Sequence, residues 1–194
     1  MGVELRRTCW DWLHLRVLPH GEGKAGRRTA RLGIHRDTWS SNVYAQTNWW
    51  APIYPLTPGR TIAFYPGYWS RPVENTSGDW DLEEIRAQQR GQVTPGKPVP
   101  VVPEPTEPVD PVSELRVVVE PGDLLCFSGA HLHAGTPNTT GVARFSVEVR
   151  TVDAHDAADG RGAPNVDGSA PRIAADWFRH VVDATPLSAV LEKR

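Results

Sequence analysis

Aromatic and β-branched residues recur in short stretches along the sequence, and Gly-, Pro- and Asn-rich segments separate these stretches. Runs of this length with turn residues at both ends are typical of β-strands rather than helices. We predict strands within residues 29–39, 43–56, 60–69, 115–135 and 143–153. Seven or eight short strands of this kind predict an all-β core, arranged as a sandwich or jelly roll.

Two other segments carry a helical pattern. Leu82–Gln89 is a candidate short helix, and residues 171–184 hold three apolar residues spaced four apart. Those three are Ile173, Trp177 and Val181. The spacing predicts a C-terminal helix with Pro171 in its first turn. Residues 4–17 mix Trp, Leu and Arg without a clean period, so they fit either a strand or a short helix.

A proline-rich stretch interrupts the strand pattern. Residues 93–112 contain seven prolines, which cannot donate a hydrogen bond to a β-ladder. The stretch therefore predicts an extended insertion on the surface. Because strand patterns resume directly after it, we treat it as an insertion and expect residues 1–194 to form a single domain.

Composition and charge limit the partners. The net charge is −2, and no basic patch or acidic tail is visible, so neither nucleic acid nor an anionic membrane is the expected partner. Cys9 and Cys126 have no metal-finger spacing and predict free thiols in a reducing, cytoplasmic compartment. Neither a signal-peptide core nor a run of 18 apolar residues is present, so no membrane span is expected.

Tryptophan is unusually abundant. The chain has eight tryptophans, and four of them lie between Trp39 and Trp69. Large aromatic side chains at this density line either a core or a ligand cavity. The second interpretation predicts a small or medium organic molecule as the partner.

Histidine, aspartate and arginine residues on the predicted strands carry the candidate chemistry. On a strand, His35 and Asp37 of "GIHRDTW" share one face and Arg36 lies on the other. The later segment "GAHLHAG" offers His131 and His133 on one face. Two histidines and one carboxylate form the facial ligand set of non-haem Fe(II) oxygenases, which leaves positions open for a cosubstrate and O₂.

These segments resemble a known family. "HRD", "PGDLLCFSGAHLHAG" and "RFS" resemble the Fe(II)/2-oxoglutarate-dependent oxygenases, specifically the phytanoyl-CoA dioxygenase-like branch, over residues 30–152. The resemblance implies an all-β core in the form of a double-stranded β-helix (jelly roll, cupin-like) with a few peripheral helices. It implies that His35, Asp37 and His133 are the iron ligands and the catalytic centre. His131 is the competing candidate for the third ligand.

The resemblance also implies how the cosubstrate is bound. Arg144, eleven residues after His133, would bind the far carboxylate of 2-oxoglutarate through a two-pronged contact. Ser146, on the same strand face, would assist it. Asn48 in "QTNWW" is a weaker candidate for contact with the cosubstrate or the substrate. Arg150, further along the same strand, is expected to form a surface salt bridge.

The implied reaction is hydroxylation of an unactivated C–H bond in a small organic substrate, such as an amino acid or natural product. O₂ and 2-oxoglutarate are consumed, succinate and CO₂ are released, and ascorbate would serve as reductant in vitro. The alternatives are a cupin-like metal enzyme and a degenerate jelly-roll binding protein, neither of which uses 2-oxoglutarate. Arg144 and Ser146 argue against the first alternative. The intact triad argues against the second, which the short N-terminal portion and the unusual turn keep open.

Two departures from the family pattern bear on these expectations. "YPGYW" at 65–69 stands where the family has a "PGSH" turn, although the Pro-Gly is kept. Only 34 residues precede His35, whereas family members carry a long helical portion there. A homodimer is one way to support a sheet that such a portion would otherwise cover.

Overall fold

The computed structural model describes residues 4–21, 32–91 and 102–192. Within these residues the chain forms nine β-strands and four short α-helices. The strands are β1 Thr8–Trp10, β2 His14–Leu18, β3 Gln46–Pro52, β4 Ile62–Phe64, β5 Leu115–Val117, β6 Leu125–Ser128, β7 His133–Gly135, β8 Arg144–Asp153 and β9 Arg179–His180. The helices are α1 Thr38–Ser41, α2 Leu82–Gln89, α3 Ala154–Ala158 and α4 Leu187–Leu191.

The larger sheet is organised around the long strand β8. Strand β3 pairs with β8 along one edge, and β6 pairs with the far side of β3. Along its other edge, the first half of β8 pairs with β2 and its last residues pair with β1, which in turn pairs with β9. All of these pairs are antiparallel. Because successive side chains of a strand point to opposite faces, every second side chain of β8 faces the same side of the sheet.

The smaller sheet has the order β5-β4-β7, and it packs on the larger sheet. Trp50 of β3, Ile62 and Phe64 of β4 form one buried cluster, against which Phe127 of β6 also packs. Residues of both sheets line the same interior cavity. The chain is thus mostly β, with two antiparallel sheets and a few short helices. The more specific double-stranded β-helix stays a prediction.

The sequence predicts a continuous strand over 29–39, and residues 29–31 of it lie outside the described part. The segment with His35 and Asp37 is not such a strand. His35 forms a two-residue antiparallel bridge with His133, and a helix then begins at Thr38. The backbone carbonyl of Asp37 accepts hydrogen bonds from the amides of Ser40 and Ser41, which turns the chain into this helix. The alternation of side chains nevertheless predicted correctly that Arg36 points to the side opposite His35 and Asp37.

The predicted C-terminal helix over 171–184 is wrong. Residues Ala175–Trp177 form one 3-10 turn, β9 follows, and α4 begins at Leu187. Ile173 is 58% exposed, so the apolar stripe has no common buried face. Strand β1 offers a free edge to β9, and the fully buried Phe178 packs beside Cys9 in the core. Sheet pairing and this anchor replace the helix.

Of the strand predicted over 60–69, only Ile62–Phe64 is a strand, and Pro66–Tyr68 form a 3-10 turn. The other predictions on secondary structure agree with the structure where it describes them. Helix α2 has the predicted bounds, residues 4–17 hold strands β1 and β2, and residues 115–135 hold three short strands. Of the proline-rich insertion, residues 102–110 form no helix and bridge back to Asn75 through Pro105, Pro111–Ser113 form a 3-10 turn, and residues 93–101 lie outside the described part. No helix in the described ranges is long and apolar enough to cross a membrane.

Candidate active site

Three side chains that are far apart in sequence meet in the interior. One ligand atom from each of His35, Asp37 and His133 lies within 4.8 Å of the other two, and all three residues are buried. The centroids of the two imidazole rings are 4.4 Å apart. Reciprocal backbone hydrogen bonds of 2.9 Å between His35 and His133 fix their relative position. Such a group of donor atoms can hold a metal ion.

The two imidazoles are oriented for metal binding. Nδ1 of His35 lies 2.8 Å from the carbonyl oxygen of Gly33, and Nδ1 of His133 lies 2.9 Å from that of His131. A carbonyl only accepts, so each Nδ1 carries the proton and each Nε2 keeps its lone pair. This is the arrangement in which metal-bound histidines are held by a second hydrogen bond. The donor set therefore fits a divalent cation.

The protonation states also fit a cation. Burial lowers the pKa of His133 to about 4, with the neighbouring His35 acting in the same direction. Burial alone would raise the pKa of Asp37. The electrostatic influence of the neighbouring His35, His133 and Arg150 side chains outweighs burial and holds this pKa well below its usual range. At neutral pH, His133 is neutral and Asp37 is ionised, as metal ligands must be.

His131 lies outside the triad. Its ring packs 4.5 Å from the ring of Trp69 and edge-on to Phe64, and its Nδ1 faces the carbonyl of Ser128. The ring of His133, in contrast, is held between Phe64 and Phe127. Of the two histidines in "HLH", the geometry thus brings His133 to His35 and Asp37.

Arg144 lies beside the triad. It lines a small cavity of about 50 Å³ together with His35 and His133. One terminal nitrogen donates to the carbonyl of Thr61 at 2.6 Å, and the guanidinium lies 5.8 Å from the ring centre of Trp50. Its Nε has no hydrogen-bond partner among the described residues. Burial lowers its pKa to about 10, so the group stays charged at neutral pH.

Ser146 and Asn48 have different surroundings. The Oγ of Ser146 is fully buried and lacks a partner within the described part of the chain. Asn48 was expected to contact the cosubstrate or the substrate. Its side-chain amide instead donates to Oδ2 of Asp37, although the residue also lines the large cavity.

A cavity of about 500 Å³ opens above the triad. Four tryptophans line it: Trp12, Trp50, Trp80 and Trp177. Only Trp50 comes from the Trp-rich stretch between Trp39 and Trp69, and Trp39 lies in the core instead. Glu148 and Arg150 reach it from β8, and Arg16 and Asp11 reach it from the N-terminal segment. Arg150 contacts the buried carboxylate of Asp11 at 2.5 Å, and Arg16 contacts Glu148 at 3.2 Å. These four charged groups of the cavity wall are therefore paired with one another.

Neither a protein-family model nor a curated protein matches the sequence. Solved structures do match. EvdO2 from Micromonospora carbonacea var. aurantiaca, solved with 2-oxoglutarate, aligns with a TM-score of 0.50 and 16% identity over 94% of this chain and 57% of its own. The non-heme monooxygenase ThoJ aligns with a TM-score of 0.48 and 17% identity over 77% of this chain and 48% of its own. The chain therefore spans about half the length of these proteins.

The chain shares its fold with EvdO2. A further match is SnoK, described as a non-heme alpha ketoglutarate dependent carbocyclase from nogalamycin biosynthesis, with a TM-score of 0.47 and 16% identity over 90% of this chain and 62% of its own. Likeness at this identity concerns the fold alone. The reaction has to be argued from the residues of this chain.

Some residues of the site escaped the sequence analysis. Arg150 was expected at the surface but lines the cavity. The sequence alone could not show this, because its partner Asp11 is 139 residues away. Alternation along β8 was the available signal, since Arg144, Ser146, Glu148 and Arg150 occupy every second position. Gln46 was missed as well, although it shares a strand face with Asn48.

Proposed function

We propose that the protein is a non-haem Fe(II)/2-oxoglutarate-dependent oxygenase that hydroxylates an unactivated C–H bond of a small organic substrate. One observation carries the proposal. One ligand atom from each of two imidazoles and a carboxylate converge within 4.8 Å, next to the guanidinium of Arg144, whose buried Nε has no partner among the described residues. A facial triad with open positions and a nearby anion receptor is the donor set such enzymes require. The finer placement in the phytanoyl-CoA dioxygenase-like branch rests on the sequence motifs.

In this proposal His35, Asp37 and His133 hold the iron. Bound iron and 2-oxoglutarate together supply the oxidising chemistry, with O₂ as the oxidant and succinate and CO₂ as products. The protein orients both imidazoles through the carbonyls of Gly33 and His131. Because these partners are backbone atoms, the ligand geometry is set by the fold before the metal binds.

Arg144 would receive the distal carboxylate of 2-oxoglutarate. Its guanidinium is already held by the Thr61 carbonyl and the face of Trp50, so little rotational freedom is lost on binding. Its free Nε–H and the hydroxyl of Ser146 offer donors that lack partners in the described chain. A buried carboxylate that pairs with Arg144 also removes the cost of leaving that charge unpaired.

The large cavity would receive the substrate. Trp80 and Trp177 meet edge-on at its wall, 6.3 Å between ring centres, and Trp50 lies closer to the triad. Aromatic walls of this kind bind an organic ring or chain and exclude water from the reacting bond. The paired charges on the wall orient polar groups of the substrate without carrying a large net charge themselves.

The test is binding of 2-oxoglutarate to the Fe(II)-loaded protein without oxygen, followed by the visible metal-to-cosubstrate charge-transfer band. Succinate formation under air with ascorbate is the second readout. Arg144→Ala should weaken 2-oxoglutarate binding by about 30-fold or more, because a buried charge pair is lost. Arg144→Lys should recover part of this loss.

Arg116→Ala serves as the matched control. Arg116 lies on the smaller sheet, away from Arg144, and its side chain is 43% exposed and pairs with Glu114. It should bind 2-oxoglutarate like the wild type. A protein that binds Fe(II) but does not bind 2-oxoglutarate would refute the proposal and favour a cupin-like metal enzyme. A protein that binds neither would favour a jelly-roll binding module.

A further inference from the structure

We infer that Asn48 and Gln46 are positioning residues that restrict Asp37 to a single metal-binding oxygen. The two oxygens of this carboxylate have different surroundings. Oδ1 lies 3.3 Å from Nε2 of His35 and so faces the position that a metal would take. Oδ2 accepts hydrogen bonds from the side-chain amides of Asn48 and, at 3.3 Å, Gln46. The inference rests on the proposed function only in that it assumes a metal at the triad.

The two amides form a fixed pair. Nε2 of Gln46 also donates to Oδ1 of Asn48 at 2.8 Å, so each amide limits rotation of the other. Both residues point inward from β3, and Gln46 is 1% and Asn48 5% exposed. A pair of buried amide donors on one carboxylate oxygen is costly to break, because the donors would be left without partners.

Gly129 makes room for this pair. A Cβ atom at this position would lie only 2.7 Å from Nε2 of Gln46 and 3.4 Å from Cβ of Asp37. The amide of Gly129 also donates to the backbone carbonyl of Gln46 at 3.2 Å, which holds the two chains together. The absence of a side chain at Gly129 therefore leaves the space that the amide of Gln46 occupies. A larger residue at this position would push Gln46 away from Asp37.

The backbone of Asp37 is fixed independently. Its carbonyl accepts from the amide of Ser41 at 2.9 Å and from the hydroxyl of Ser40 at 3.0 Å, at the start of α1. The carboxylate can then change its binding mode only by rotating its own side-chain bonds. Hydrogen bonds to Oδ2 oppose that rotation.

A one-oxygen carboxylate has a chemical consequence. With three protein ligand atoms, about three positions of an octahedral metal stay open for a two-oxygen cosubstrate and one further ligand. If Asp37 bound through both oxygens, only about two positions would remain. The amide pair thus preserves the last open position.

Mn(II) provides a test that requires neither 2-oxoglutarate nor oxygen. Bound Mn(II) speeds the relaxation of water protons in proportion to the number of waters on the metal. The wild-type protein should give the enhancement of about three waters. Asn48→Ala and the nearly isosteric Gln46→Met should each lower it by up to about one third, as Asp37 gains freedom to bind through both oxygens.

Thr47→Ala is the matched control, because Thr47 lies between the two amides on the same strand but on its outer face. It should retain the wild-type enhancement. Thermal melting identifies the variants that fold. The inference fails if the folded amide variants keep the wild-type enhancement, or if the wild-type protein itself holds only about two waters. Failure of the protein to bind Mn(II) would instead count against the proposed function.

Discussion

Arg36 and Asp167 form a buried ion pair that ties the C-terminal loop to the segment between His35 and Asp37. Nε of Arg36 lies 3.0 Å from Oδ2 of Asp167, and the two side chains are 2% and 5% exposed. The remaining guanidinium nitrogens donate to three backbone carbonyls, those of Ala130, Tyr68 and Arg71. Asp167 also accepts from the indole of Trp39. The middle residue of the His-x-Asp motif thus anchors the backbone that presents the other two.

Loss of the Arg36–Asp167 ion pair should lower the stability of the folded protein. We expect Asp167→Ala to lower the free energy of unfolding by about 3–5 kcal/mol, because it leaves the Arg36 charge buried and unpaired. Urea denaturation of the apoprotein measures the loss. Asp156→Ala is the control, since Asp156 is 42% exposed and pairs with Arg161 at the surface. Its loss should be below about 1 kcal/mol, and equal losses in the two variants would contradict the assignment.

Substitution of the two histidines of "HLH" should affect metal affinity to different degrees. His133→Ala removes one of the three converging ligands, so we expect metal affinity to fall by about 100-fold or more. His131→Ala should leave metal affinity near the wild-type value, because that ring packs on Trp69 and Phe64. Competition with a metal-sensitive dye measures both. The opposite order of effects would assign the third ligand to His131.

The apoprotein should lose stability in mild acid. The pKa of His133 is about 4 in the folded protein, against about 6.5 in an unfolded chain. Between these values the unfolded chain binds a proton that the folded chain does not. The free energy of unfolding should therefore fall by about 3 kcal/mol as the pH drops from about 6.5 to about 4. Below this window, the lowered pKa of Asp37 adds a further loss.

Variants of single histidines identify the source of this slope. His133→Gln should flatten the curve between about pH 6.5 and 4, since the titrating group is gone. His155→Gln, at an exposed position on α3, should keep the wild-type slope. Urea titrations at several pH values provide the comparison. An unchanged slope in the His133 variant would show that another group controls the acid response.

The loop after α3 should tolerate no added bulk at Gly162. A Cβ atom there would lie 2.5 Å from the backbone carbonyl carbon of Tyr44, which cannot rotate away. We expect Gly162→Ala to destabilise the protein by about 1–3 kcal/mol. Gly67→Ala would meet nothing closer than 3.7 Å and should change stability little. Melting temperatures of the two variants, if equal, would refute the predicted clash.

The two parts of the triad were visible in short segments, and the family resemblance joined them into one predicted site. His35 and Asp37 are two residues apart, and the distance from His133 to Arg144 fits one hairpin. Helix α2 was likewise visible in one continuous stretch. Only the meeting of His133 with His35 and Asp37 required knowledge of how distant segments pack, and the resemblance supplied it.

The remaining features depend on partners far away in the chain. The role of Arg150 follows from Asp11, and the strand at Arg179–His180 follows from the free edge of β1. Three apolar residues spaced four apart could not reveal that edge, so a helix was predicted instead. Asn48 and Gln46 were ambiguous for the same reason, since an amide on an inward face serves a ligand, a cosubstrate or a neighbouring side chain equally well.

The bridge between His35 and His133 joins points about a hundred residues apart in the chain, so the triad assembles only after a large loop has closed. A metal bound across this closure would act as a reversible cross-link on the folded state. Because it would bind the folded chain and not the unfolded one, it would stabilise the folded state by mass action, and the apparent melting temperature would rise with free metal concentration. Metal occupancy would then report on completion of the fold as well as on readiness for catalysis.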